Sequence, residues 1–191
     1  VVTQENAQNP IAGIIEDDNN FQMTWQSDSP VPRDGTADGI YTVDITFINQ
    51  NGQKFEDSFE LTLDTQFPKI ADTTPATKSQ VESALDMVKV RLVDNASGID
   101  IRAVSAQLVG PSGPVSTQRS DNGVDTVILS FDQLKTDGSQ DGIYTIEVTP
   151  VDLAGNSSPE TLVREFSYLS QKPEITLNID EYTNQMEVIE A

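Results

Sequence analysis

Asp137-Gly138-Ser139-Gln140-Asp141-Gly142-Ile143-Tyr144-Thr145-Ile146-Glu147-Val148-Thr149 decides the reading of this chain. Two Asp-Gly steps open it, and such steps favour turns because glycine takes positive φ without steric cost. The run from Ile143 to Val151 then has the alternation and β-branched content of a strand. Pro150 inside it marks an edge position or a bulge. The same stretch stands 103 positions earlier as Asp34-Gly35-Thr36-Ala37-Asp38-Gly39-Ile40-Tyr41-Thr42-Val43-Asp44-Ile45-Thr46, with no gap between the two. Gly52 and Gly155 keep that offset. A period near one hundred residues is too long for a solenoid turn and suits a small domain.

Outward from this block, short alternating runs recur between Gly/Asn/Asp/Pro turns, and helical periodicity is lacking. Met87–Val93, Ile101–Val109, Val115–Arg119, Asp125–Phe131, Ile143–Val151 and Leu162–Tyr168 read as strands. Asp121-Asn122-Gly123 has hairpin-turn chemistry. About seven strands at spacings near ten residues over 73–172 predict one complete antiparallel sandwich of immunoglobulin-like type.

At the 103 offset Val1 falls on Val104, so 1–72 reads as an incomplete module lacking its first two strands, with Phe59–Leu63 as its last. Residues 173–191 read as the opening strands of a further module or as a donor segment, through Ile175–Ile179 and Met186–Ile189. The fold class expected is all-β, as tandem antiparallel sandwich modules.

Composition narrows the chemistry. The chain of 191 residues carries 31 acidic against 11 basic side chains, a net charge of -20. That field opposes nucleic acid and anionic membrane surfaces. There is no cysteine and no histidine, which removes disulfides, thiolates and the commonest general base and transition-metal ligand. No nucleophile elbow, phosphate loop or zinc-protease motif occurs, so an enzyme is not expected. No apolar run reaches the length of a membrane span.

Acidic residues gather in turns: Asp34 with Asp38, Asp137 with Asp141, and Asp94 with Asp100, while Asp64, Asp72 and Asp152 stand near module junctions. Such loops serve as plain turns or as oxygen ligands for calcium, which takes six to eight oxygens. The candidate metal ligands are Asp64, Asp72, Asp137, Asp141 and Asp152. Tyr41 and Tyr144, behind Gly39 and Gly142, match the tyrosine corner in which a hydroxyl pins the loop before the penultimate strand. All four are assigned structural roles. Trp25 aligns with Ile128 and is read as a core residue.

Tyr144–Asn156 resembles the penultimate strand and last turn of bacterial immunoglobulin-like repeats of large surface proteins, adhesins and extracellular fibres. Leu63-Asp64-Thr65-Gln66-Phe67-Pro68 and Asp72-Thr73-Thr74-Pro75 resemble the junctions between such modules. The resemblance implies extended arrays at the cell surface with calcium at the junctions, and Asp64 and Asp152 are the positions that would inherit that role. The chain departs from the pattern at Gln66-Phe67 and at Leu169-Ser170-Gln171-Lys172. The function expected is a non-catalytic structural repeat of an extracellular surface protein or filament, with 173–191 completing 1–72 of the next subunit. The alternative is an adhesin module recognising a carbohydrate or receptor. Expected partners are copies of itself, adjacent repeats and a cell-surface glycan or receptor, without nucleic acid or membrane insertion.

Overall fold

The computed structural model describes the backbone of residues 2–4, 13–17 and 23–171, and the side chains of 25–171. The strands expected at Ile175–Ile179 and Met186–Ile189, with the whole segment 173–191, lie outside the described residues. Fourteen strands and no helix are found among those described. They are β1 (Val2–Gln4), β2 (Gly13–Asp17), β3 (Met23–Ser27), β4 (Gly39–Ile48) and β5 (Lys54–Leu63) in the first part. The second part has β6 (Lys69–Thr74), β7 (Gln80–Val81), β8 (Met87–Val93), β9 (Ser105–Gly110) and β10 (Gly113–Pro114). It continues with β11 (Gln118–Asp121), β12 (Thr126–Ser130), β13 (Gly142–Thr149) and β14 (Leu162–Tyr168). The all-β, antiparallel expectation holds.

The second part is a sandwich of two sheets, β10-β9-β13-β14-β7 and β11-β12-β8-β6. Its strands begin at Lys69, ahead of residue 73. Met87-Val88-Lys89-Val90-Arg91-Leu92-Val93 alternates, and its strand buries Val88, Val90 and Leu92 while Lys89 and Arg91 face water. These pack with Val127 and Leu129 of β12 against Leu108, Ile146, Val148 and Phe166 of the other sheet. Complete burial of one such side chain is worth roughly 1.5–3 kcal/mol. Only β7 runs parallel to its neighbour, pairing Ser167 with Gln80 and Tyr168 with Val81.

Some strand limits move for local reasons. The strand expected from Ile101 starts at Ser105, because the Asp100 carboxylate accepts from the Arg102 amide and turns the chain. The edge strand expected at Val115–Arg119 forms at Gln118–Asp121. β13 ends at Thr149, where Pro150 offers no amide to continue the ladder.

The first part contains a three-stranded sheet, β1-β4-β5, and a separate two-stranded ribbon, β2-β3. Ten residue pairs join β4 to β5, from Gly39↔Leu63 to Ile48↔Lys54. β5 is an edge of this sheet. The inward row of β4 and β5 is apolar, yet Phe47, Phe55, Phe59 and Leu61 are exposed, and only Tyr41 is fully buried.

Both copies of the opening motif build one corner. The Tyr41 hydroxyl donates to the Ala37 carbonyl at 2.5 Å, and Tyr144 donates to Gln140 at 3.0 Å. Burial pushes both phenols above their ordinary pKa, so both stay protonated donors. Gly142 has φ +148°, and a Cβ there would lie 2.5 Å from the Pro111 ring. Gly39 has the matching φ of +146°. Tyr144 also stacks on Phe166 at 5.5 Å and meets Tyr168 edge-on at 6.2 Å.

Candidate metal centre

Leu63 ends β5 opposite Gly39, so the next residue, Asp64, leaves the sheet beside the corner. Its position is set by a clamp on its neighbour. Asp38 accepts from the Thr65 amide at 3.1 Å and from the Thr65 hydroxyl at 2.8 Å, and the Gly35 amide donates back to that hydroxyl at 3.1 Å. Asp141 treats Ser170 alike, accepting from its amide at 2.9 Å and its hydroxyl at 2.6 Å, while the Gly138 amide donates to the hydroxyl at 3.1 Å. The clamp is thus the same in both copies. The residue ahead of it differs: Asp64 in the first, Leu169 in the second.

Two loops of the sandwich meet Asp64. In the loop after β8, Asp94 Oδ2 accepts from the amides of Ala96 at 3.1 Å and Gly98 at 2.8 Å. In the loop after β13, Asp152 Oδ1 accepts from the Asn156 amide and Oδ2 from the Asn156 side chain, both at 2.8 Å. The loops are joined by an Ile99↔Asp152 bridge and by Leu153 donating to the Gly98 carbonyl at 3.0 Å. Asp64 closes the group. Its Oδ2 accepts from the Ser97 amide at 2.9 Å, and its carbonyl accepts from Asn156 Nδ2 at 3.0 Å.

The result is three carboxylates, Asp64, Asp94 and Asp152, each offering one oxygen within 4.8 Å of the others. Asp64 and Asp152 are buried, at 8% and 1% exposure. None of the three is in an ion pair among the described residues. Two like charges 4.8 Å apart repel by about 3.5 kcal/mol at an effective dielectric of ~20, a repulsion that a cation between them would offset. Burial raises the Asp64 carboxyl, but hydrogen bonds from the Ser97 hydroxyl and amide, the Gln66 amide and a side-chain bond with Asp94 outweigh it and hold it below its ordinary value. It is therefore an ionised acceptor near neutral pH.

Of the five aspartates singled out in the sequence, Asp64 and Asp152 come together here. Asp72 lies on β6 and pairs across the ladder with Arg91, whose Nε stands 2.8 Å from its Oδ2. Asp137 turns its own loop, accepting from the Ser139 amide at 3.0 Å, and Asp141 is the clamp on Ser170. Asp94 is the member that the sequence pairs elsewhere, with Asp100; its true partners lie in other loops.

No protein-family model and no curated protein matches the chain. Solved structures do, at low identity. PcoC, a methionine-rich copper resistance protein from Escherichia coli, is 15% identical with a TM-score of 0.45, over 55% of this chain and 100% of its own. CopC from Methylosinus trichosporium OB3b is 17% identical with a TM-score of 0.42, over 53% and 92%. A titin M3 domain is 16% identical with a TM-score of 0.31, over 53% and 94%. The likeness is one of fold. The expectation of a structural repeat of a surface protein or filament, and the adhesin alternative with it, is corrected by the matches to PcoC, a copper resistance protein, and to CopC. The physical reason is that the motifs behind that expectation, the corner and the strand after it, specify sandwich packing, which unrelated functions share. Of the cofactor expectation the general part stands: an acidic group able to hold a metal.

Proposed function

We propose that this chain binds a hard divalent metal ion at Asp64, Asp94 and Asp152, and that the ion ties the segment leaving β5 to the far loops of the sandwich. The observation that carries the reading is the convergence of three carboxylates from three separate segments, two of them buried, with no basic partner among the described residues. Calcium is the finer reading, because its ligands are carboxylate, carbonyl and water oxygens. The reading is one of binding rather than catalysis. The reading suits a chain on the extracytoplasmic side, where calcium-binding modules have dissociation constants of roughly 10⁻⁴–10⁻³ M. Copper, to which PcoC confers resistance, is a separate arm of the test. Divalent copper leads the affinity order at a given site, but this chain has neither histidine nor cysteine to select it.

Thermal unfolding of the full chain in chelator, calcium, magnesium and copper tests this. Calcium is expected to raise the midpoint, by about 2.7 kcal/mol of stability at a hundredfold excess over Kd. Asp94→Asn, which keeps the turn-forming acceptor, is expected to remove most of the response. A midpoint indifferent to every ion would overturn metal binding. A response to copper alone would overturn calcium and leave the site.

A further inference from the structure

We propose that Asn51 is a site of spontaneous deamidation and that Asn122 is protected from it. The chain has two Asn-Gly steps, Asn51-Gly52 and Asn122-Gly123. A glycine after asparagine leaves the following backbone nitrogen unshielded by a Cβ, and at Gly52 nothing lies within 4 Å of where a Cβ would stand. In the reaction the Gly52 nitrogen loses its proton to water and attacks the side-chain carbonyl carbon of Asn51. A C–N bond forms, ammonia leaves, and a five-membered succinimide remains. Water then opens either carbonyl of the ring, giving aspartate or isoaspartate; the net change is one water consumed and one ammonia released.

The two steps differ in what holds the carboxamide. Asn51 is exposed, and its side-chain amide has no hydrogen-bond partner among the described residues. One bond restrains the nucleophile, from the Gly52 amide to the Asn49 carbonyl at 2.9 Å. At Asn122, Oδ1 accepts from the amides of Val124, Asp125 and Thr126 at 3.0, 2.9 and 2.9 Å. Its Nδ2 donates to Asp125 at 2.9 Å, and the Gly123 amide is taken by Asp121 at 3.0 Å. The Asn122 carbonyl carbon cannot turn toward Gly123 without giving up those bonds.

The four Asp-Gly steps are held in the same manner. Asp34 and Asp137 bind the amides two residues on, and Asp38 and Asp141 bind Thr65 and Ser170. Conversion of Asn51 adds a negative charge to the Asn49–Gln53 turn. At the 103 offset that turn matches Asp152–Asn156, the loop that contributes Asp152 to the carboxylate group.

The test is incubation of the full chain at mildly alkaline pH, with peptide mapping by mass spectrometry and enzymatic methylation to detect isoaspartate. In the folded chain Asn51 is expected to convert at least about tenfold faster than Asn122, since several hydrogen bonds must break at the second site. In urea the two rates are expected to converge. Asn51→Gln is expected to remove the new acidic species. Equal rates in the folded chain, conversion at Asn122 first, or a gap that persists in urea would each overturn the proposal.

Discussion

Residues 34–66 and 137–171 carry the same motif into different surroundings. Each has the same Asx turn, the same tyrosine hydroxyl on the carbonyl four residues back, and the same aspartate clamp on the second residue after the last strand. What differs is the cover. Phe166, across the ladder from Tyr144, is 2% exposed in the core between the two sheets, whereas Leu61, across from Tyr41, is 43% exposed. No counterpart of β8 faces β4 and β5 among the described residues. Local turn chemistry therefore needs no opposing sheet to form, while burial of the strand behind it does.

The largest expected effect tests that difference directly. Phe166→Ala is expected to cost about 3–5 kcal/mol in denaturant unfolding, the range for emptying a packed aromatic site. Leu61→Ala is expected to cost about 1 kcal/mol or less, since a half-exposed side chain has less burial to lose. Equal costs would break the comparison and show that the first sheet is covered in solution. A smaller effect sharpens the likeness: Tyr144→Phe and Tyr41→Phe each delete one hydroxyl bond and are expected to cost about 1 kcal/mol apiece. A loss in only one copy would mean that the corners are not equivalent.

The smallest effect is on pH. Hydrogen bonds from Thr36 hold Asp34 below its ordinary value of 3.8, and bonds from Ser139 do the same for Asp137. Asp141 is lowered chiefly by the Ser170 hydroxyl, then by its amide. A carboxylate lowered on folding contributes stability that is present above the unfolded value and lost as pH falls through the folded one. Acid unfolding below pH 3.8 is therefore expected to steepen with all three present. Asp141→Asn, Asp34→Asn and Asp137→Asn are each expected to flatten it slightly. A pH profile unchanged by any of them would show that these turns contribute nothing through their charge.

Much of the fold was legible because it rests on local signals. Alternation in Met87–Val93 and Leu162–Tyr168 gives strand limits that match the structure. The Asp-Gly-Ile-Tyr blocks announce the corner, because glycine at positive φ and a tyrosine two residues on are enough to make it. Legibility fell where a partner is distant. Asp72 reads as a junction ligand until the β6–β8 register puts Arg91 beside it. Asp94 reads as a turn residue, which it is, and nothing within its own loop tells that Asp64 and Asp152 lie across from it. Nor does the alternation of Lys54–Leu63 reveal that its apolar row is exposed; the pattern records which residues share a face, not what covers them.

The outer edge of β5 has a consequence for how the protein behaves in concentrated solution. Among the described residues no strand pairs with that edge, and an unpaired ten-residue edge is a template for pairing with a second molecule. Here Glu56 and Glu60 lie along one face of that edge and Asp57 points into the apolar row of the other. Two such edges brought together set like charges against each other, with a net charge of -20 on each molecule behind them. Salt shortens the reach of that repulsion to about 8 Å at physiological ionic strength and about 3 Å at 1 M. Colloidal stability is thus electrostatic in origin: dilute salt keeps the molecules dispersed, and strong brine or acid removes the barrier to edge-to-edge aggregation.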